Sequence, residues 1–126
     1  VSTAVNTRGL AHPELAEIRL DAVLHALSDP IRRQIVCALA EAERQSTSPG
    51  PVALGCSAFE LPVTKSTSTH HFRVLRESGV IRQHYRGTAK LNDLRRSDLE
   101  RLFPGLLDGI LVAAGAEEQR LARPGS

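Results

Sequence analysis

The segment from Thr64 to Leu94 constrains the fold more than any other stretch of this chain. A helical pattern opens at Thr64, a good N-cap, and runs to Ser78, where Gly79 supplies the left-handed stop. Two strand-like runs follow at once, Val80–Tyr85 and Ala89–Leu94, joined by Arg86-Gly87-Thr88 with glycine at the tight position. A helix leading straight into a hairpin cannot bury its own apolar face. It needs further helices, and the flanking sequence supplies them.

Upstream, a helical pattern begins at Pro13, with Leu15, Ile18, Ala22 and Leu27 near one face and Leu20, Val23 and Leu24 widening it. A second helix opens at Ser28-Asp29-Pro30, where Asp29 can cap free amides and Pro30 suits the first helical position. Residues 45–55 concentrate Ser, Pro and Gly and read as a loop. A one-to-two-turn helix is expected at Ser57–Leu61, because Ser57 and Glu60 have capping-box spacing, and Leu61-Pro62-Val63 is the turn after it. Downstream, Ser97 is expected to cap a helix carrying Leu99, Leu102 and Phe103, and Pro104 to begin another through Leu106, Leu107, Ile110, Leu111 and Ala114. The order is helix, helix, short helix, turn, helix, hairpin, helix. It predicts a mostly α (α+β) winged helix-turn-helix with a two-stranded wing. Residues 1–11 read as a flexible arm, 12–119 as one domain, and 120–126 as a frayed tail.

Charge marks one face of that domain. Between Thr64 and Arg96 eight Lys or Arg stand against two acids, and elsewhere eight stand against twelve, so +6 sits in the middle and −4 around it. A basic middle between acidic flanks suits a nucleic-acid-binding surface. No apolar run approaches the ~20 residues of a membrane span. With a polar Val1–Gly9 and two cysteines, Cys37 and Cys56, the expected setting is a reducing cytoplasm. No phosphate loop, HExxH motif or nucleophile elbow occurs, so no enzyme and no cofactor are expected.

Projected at ~100° per residue, the Thr64–Ser78 helix puts Ser68, Phe72 and Leu75 on one face with His71 at its margin. Ser66, Thr69, His70 and Arg73 point away, and Lys65 and Thr67 lie in the exposed first turn. Hydroxyls and first-turn amides suit phosphate oxygens, and Arg73 can fork onto guanine O6 and N7. Five Ser or Thr among Thr64–Thr69 are costly for helix propensity, which favours DNA contact over an ordinary solvated face. Arg82, His84, Arg86 and Lys90 place further cations on the hairpin, suited to the DNA backbone.

The run Thr64-Lys-Ser-Thr-Ser-Thr-His-His-Phe-Arg-Val-Leu-Arg-Glu-Ser-Gly-Val-Ile81 resembles the recognition-helix signature of ArsR-type (arsenical-repressor-like) regulators. Leu27-Ser-Asp-Pro-Ile-Arg-Arg-Gln-Ile35 resembles the start of that family's second helix, and Gly79–Leu94 its wing. The resemblance covers about residues 20–103. It implies a dimeric bacterial repressor, associated with the nucleoid, that binds a pseudo-palindromic operator on double-stranded DNA and is released by a signal. It also implies dimerisation through the first and last helices, with Leu15, Ile18, Leu20 and Leu24 and then Leu107, Ile110 and Leu111 as the interface. Metal-sensing relatives carry paired cysteines before the recognition helix or an Asp/His set on the last helix. Here Cys56 stands alone at the first place, and the last helical segment has Asp98, Glu100 and Asp108 but no histidine. Neither metal site transfers, so the inducer is left open. Two alternatives stay beside this reading: a thiol-based redox or thiophilic-metal sensor using Cys37 and Cys56, and a winged helix used for protein contact or non-specific DNA packing.

Overall fold

The structure, a computed structural model, describes residues 3–5, 10–49 and 52–122. Helix α2 (Pro30–Gln45) is packed by three other elements in particular: α3 (Lys65–Glu77), α5 (Leu106–Ala122) and strand β5 (Ala89–Leu94) all meet it. Asp29 starts it as the sequence suggests, its carboxylate accepting the Ile31 and Arg32 amides at 2.8 and 3.1 Å with Pro30 in the first turn. Ile35, Val36 and Leu39 form its buried stripe, against Val23, Ala26 and Leu27 of α1 (Leu20–Ala26) and its C-terminus. Phe72 and Leu75 of α3 close the core from one side, and Val80, Ile81, Leu94 and Leu99 from the other.

The sheet is antiparallel with strand order β3-β5-β4, where β3 is Leu54–Gly55 and β4 is Ile81–Arg86. Arg86 pairs with Ala89, so Gly87 and Thr88 alone make the turn, and Gly87 takes φ +64°. A glycine first in a two-residue turn matches the twist of the strands it joins. The expected two-stranded wing therefore gains a third strand from inside the loop 45–55. Short strands formed by long-range pairing leave little local signature.

Three other local expectations are corrected. The helix read from Pro13 begins at Leu20: Ala11–Pro13 form β2, paired with β1 (Thr3–Val5), and Leu15–Glu17 make a 3-10 turn. Ile18 and Arg19 are extended, which carries Ile18 into the core instead of continuing the helix. The arm thus supplies a strand at Thr3–Val5, while residues 1–2 and 6–9 lie outside the described residues, as does the tail 123–126. The short helix at Ser57–Leu61 is a single 3-10 turn, Cys56–Ala58, without a side-chain cap. Pro62 bars Leu61 from helix, and the few residues left cannot offset nucleation. Phe59 is extended instead and packs edge-on against Phe72, ring centres 5.3 Å apart. Last, α4 (Arg96–Leu102) starts two residues early, with Arg95 rather than Ser97 at the N-cap.

Gly79 ends α3 with φ +89°, and a Cβ there would lie 2.6 Å from Ile18 Cγ1. Both its backbone angle and its lack of side chain are required. Gly87 has the same sign of φ but open space around it. Gly79→Ala is therefore predicted to lose about 3 kcal/mol in urea unfolding, from left-handed strain plus overpacking, and Gly87→Ala only about 1 kcal/mol. Equal losses would show that the Ile18 contact adds nothing.

Candidate nucleic-acid interface

Helix α3 presents one polar side because its other side is fully used. Phe72 and Leu75 are buried, Ser68 is half-buried, and Lys65, Ser66, Thr67, Thr69, His70 and Arg73 are exposed. Thr64 Oγ1 accepts the Thr67 amide at 3.3 Å and donates to Thr67 Oγ1 at 3.0 Å. Thr69 Oγ1 donates back to the Lys65 carbonyl at 3.0 Å. Part of the hydroxyl-rich first turn thus has a local explanation, since it secures the helix start. His70 Nδ1 lies 3.4 Å from an Arg73 guanidinium nitrogen, so these two outward side chains stand together.

The histidine expected at the margin, His71, is buried and fixes the azimuth of the helix. Its Nδ1 lies 3.3 Å from Arg32 Nη1, which can only donate, so Nδ1 accepts. Arg32 also donates to the Ala26 carbonyl at 2.6 Å and the His25 carbonyl at 3.2 Å. One buried guanidinium therefore ties the end of α1 to α2 and α3. Burial works against the nearby Asp29 carboxylate, but the Arg32 and Ile31 amides and the adjacent positive charge hold it below its ordinary range.

A second buried polar chain joins α3 to the wing. Arg76 Nη1 donates to Gln83 Oε1 at 2.7 Å, and Gln83 Nε2 donates to Asn92 Oδ1 at 2.7 Å. Asn92 Nδ2 in turn reaches the Leu54 carbonyl at 3.0 Å and Cys56 Sγ at 3.4 Å. Gln83 and Asn92 are cross-strand partners, 1% and 0% exposed. Sequence reading missed them, because a Gln and an Asn alternating with basic residues look like a wetted strand face.

Strand register divides the wing cations. Arg82, His84 and Arg86 share one face with Asp93, whereas Lys90 is paired with Tyr85 on the face that carries Gln83. Arg82 lies 3.4 Å from Asp93 and 3.6 Å from Asp98, and His84 lies 3.8 Å from Asp93. Burial still pushes the Asp93 carboxyl up, although Arg82 and His84 pull it down. Of the eight cations between Thr64 and Arg96, four are engaged internally. Arg76 holds Gln83, Arg82 faces the two carboxylates, and Arg95 bonds Asp98 and the Pro13 carbonyl. Arg96 bridges Glu43 and Asp108. Lys65, Arg73, Arg86 and Lys90 pair with no carboxylate among the described residues, and Lys90 Nζ sits 5.6 Å over the Tyr85 ring. The basic set without carboxylate partners is thus smaller than the sequence suggested and lies on the outward side of α3 and at the hairpin end, with Lys90 half-buried.

The residues expected at a dimer interface also divide. Ile18 and Leu107 are 8% and 4% exposed and belong to the chain's own core, a correction to their reading as interface residues. Leu15, Ile110 and Leu111 are half-buried. Leu20 and Leu24 are 46% and 44% exposed, one turn apart on α1, and Val112 and Leu121 of α5 are exposed as well. Between α2 and α5 runs an open groove of 1310 Å3 with Cys37 and Ala38 on one wall and Leu111 and Gly115 on the other. Burial first, then Glu118, pushes the Cys37 thiol up, against the chemistry of a reactive thiolate. Cys56 sits instead beside Asn92, and both cysteines are free.

Helices α1, α2 and α3 with the hairpin packed behind α3 define a winged helix, in which the first helix of the helix-turn-helix is reduced to one 3-10 turn. The chain is similar to a solved structure described as an ArsR family transcriptional regulator, with 24% identity over 82% of this chain and 92% of that one and a TM-score of 0.48. No protein-family model and no curated protein matches the sequence.

The buried chain through Asn92 can be broken without touching the exposed cations. Asn92→Leu leaves Gln83 Nε2 and the Leu54 carbonyl in apolar surroundings and is predicted to lose about 1–3 kcal/mol in urea unfolding. Arg86→Ala, at the exposed turn, is predicted to change stability by less than about 0.5 kcal/mol. A neutral Asn92→Leu would mean that the network adds no stability.

Proposed function

We propose that the chain is a sequence-specific DNA-binding transcriptional regulator of the bacterial cytoplasm, a repressor that acts as a homodimer and leaves its operator on a signal. The carrying observation is a set of cations of which none faces a carboxylate among the described residues: exposed Lys65 and Arg73 on α3, and exposed Arg86 with half-buried Lys90 on the wing. Helix α3 has the width a major groove admits, with Ser66, Thr69, His70 and Arg73 outward, and the wing cations reach flanking phosphates. Thr64, Lys65 and Thr67 position the helix start. Arg82 and His84, facing Asp93, give the backbone less charge than Arg86 and Lys90 do.

The homodimer is supported by the exposed leucines of α1 and the exposed apolar residues of α5, which a lone chain leaves in water. A two-fold pair would set its recognition helices about one helical turn apart, ~34 Å, on a pseudo-palindromic site. No helix among the described residues is long and apolar enough to cross a membrane.

Selection of bound sequences from random DNA tests the reading. Enrichment of one two-fold-symmetric site, with affinity that falls steeply as salt rises, supports it, and uniform recovery of all sequences favours non-specific packing. On the selected site, Arg73→Ala is predicted to lose about 1–3 kcal/mol and to relax base preference, while Lys90→Ala weakens all sequences alike and lowers the salt slope by about one. Sedimentation checks the dimer. Leu24→Glu should give a folded monomer, whereas Leu107→Glu should unfold the chain, because that side chain is in the core. A folded Leu24→Glu dimer would remove α1 from the interface.

A further inference from the structure

His12, the middle residue of β2, lies outside the proposed DNA face, yet it is buried, with its strand packed on α3 and its ring against β4. Its Nε2 receives the Gln83 backbone N–H at 2.9 Å, and its Nδ1 lies 3.2 Å from the Leu10 carbonyl. A carbonyl only accepts and an amide N–H only donates, so the ring must be neutral with its proton on Nδ1. Among the described residues β4 is the outer strand of its sheet, and His12 accepts an amide on the side turned away from β5 with a side chain from another element. The charged groups around the ring are cations: Arg76 from α3, Arg82 from β4 and Arg95 from the β5–α4 junction. The carboxylates paired with these cations are Asp93 and Asp98 at Arg82 and Asp98 at Arg95. Arg95 also holds the next residue of the strand, donating to the Pro13 carbonyl at 2.7 Å.

We infer that His12 is an acid-sensitive latch: neutral, it pins β2 to β4 through the Gln83 amide, and its protonation breaks that bond and weakens DNA binding through the wing. A proton on Nε2 sets N–H against N–H at Gln83 and adds a positive charge among three arginines. Gln83 is also the residue whose side chain links Arg76 of α3 to Asn92, so a disturbance at its amide falls on the joint between wing and helix.

Burial, followed by Arg76, Arg95 and Arg82, holds the imidazole below its ordinary value of 6.5, with only the Leu10 bond opposing. The folded chain therefore binds fewer protons than the unfolded one between those two values. The latch contributes fully above pH 6.5 and is lost as pH falls through the lower, folded value.

The experiment follows the His12 ring by NMR across mildly acidic pH while Gln83 amide exchange is measured on the unmutated chain. Gln83 protection should fall along the His12 titration, and protection that ignores that titration would overturn the latch. The DNA arm rests on the function proposed above and uses the selected site. One pH unit below the His12 midpoint only about a tenth of molecules remain latched, so affinity should fall about tenfold. His12→Gln, which keeps an acceptor but cannot titrate, should flatten that profile while binding normally near pH 8. An unchanged profile in His12→Gln would remove His12 as its source and overturn the link between the latch and DNA binding. Absence of DNA binding at every pH would overturn the function, while the amide result would still decide the latch.

Discussion

The hydrogen-bond chain from Arg76 through Gln83 and Asn92 to the Leu54 carbonyl is the constraint that the candidate interface depends on. It crosses from α3 to β4, from β4 to β5, and from β5 to β3. Apolar packing behind α3 and the wing is tolerant of small rotations, whereas a chain of buried polar groups is not. Each group that loses its partner incurs its own desolvation cost. The orientation of the outward residues Arg73 and Lys65 relative to Arg86 and Lys90 is therefore fixed by buried Gln83 and Asn92 together with half-buried Arg76.

A matching constraint acts at the middle of α3. Arg32 collects the Ala26 and His25 carbonyls and the His71 ring, so the end of α1, the start of α2 and the middle of α3 share one guanidinium. Gly79 then lets Ile18 approach the end of α3 more closely than any side chain there would permit. These three devices fix the pitch, rotation and end of the helix. They account for how α3 is held in a domain with only four aromatic residues.

What was legible in the sequence was local. Thr64, Gly79 and Gly87 mark boundaries through their own backbone chemistry, and α3 and the hairpin fall where those residues place them, to within a residue. What was not legible depends on distant partners. Leu54–Gly55 is a strand because β5 lies beside it, and Ile18 is extended because Gly79 leaves room for it. Ile18 and Leu107 show how periodicity identifies an apolar face without saying what covers it: both were read as interface and both are core. The charge pattern behaved the same way. It located a basic region, but Arg76, Arg82, Arg95 and Arg96 are engaged inside the fold, which only their neighbours reveal.

The central claim is that the start of α3 and the hairpin end form a single DNA-facing surface. Amide chemical-shift mapping during titration with duplex DNA tests it most directly. The account predicts shifts concentrated at Lys65–Arg73 and Arg86–Lys90, with Arg96 and the α2–α5 groove unchanged. Shifts centred on α1, α5 or that groove, with α3 silent, would contradict it.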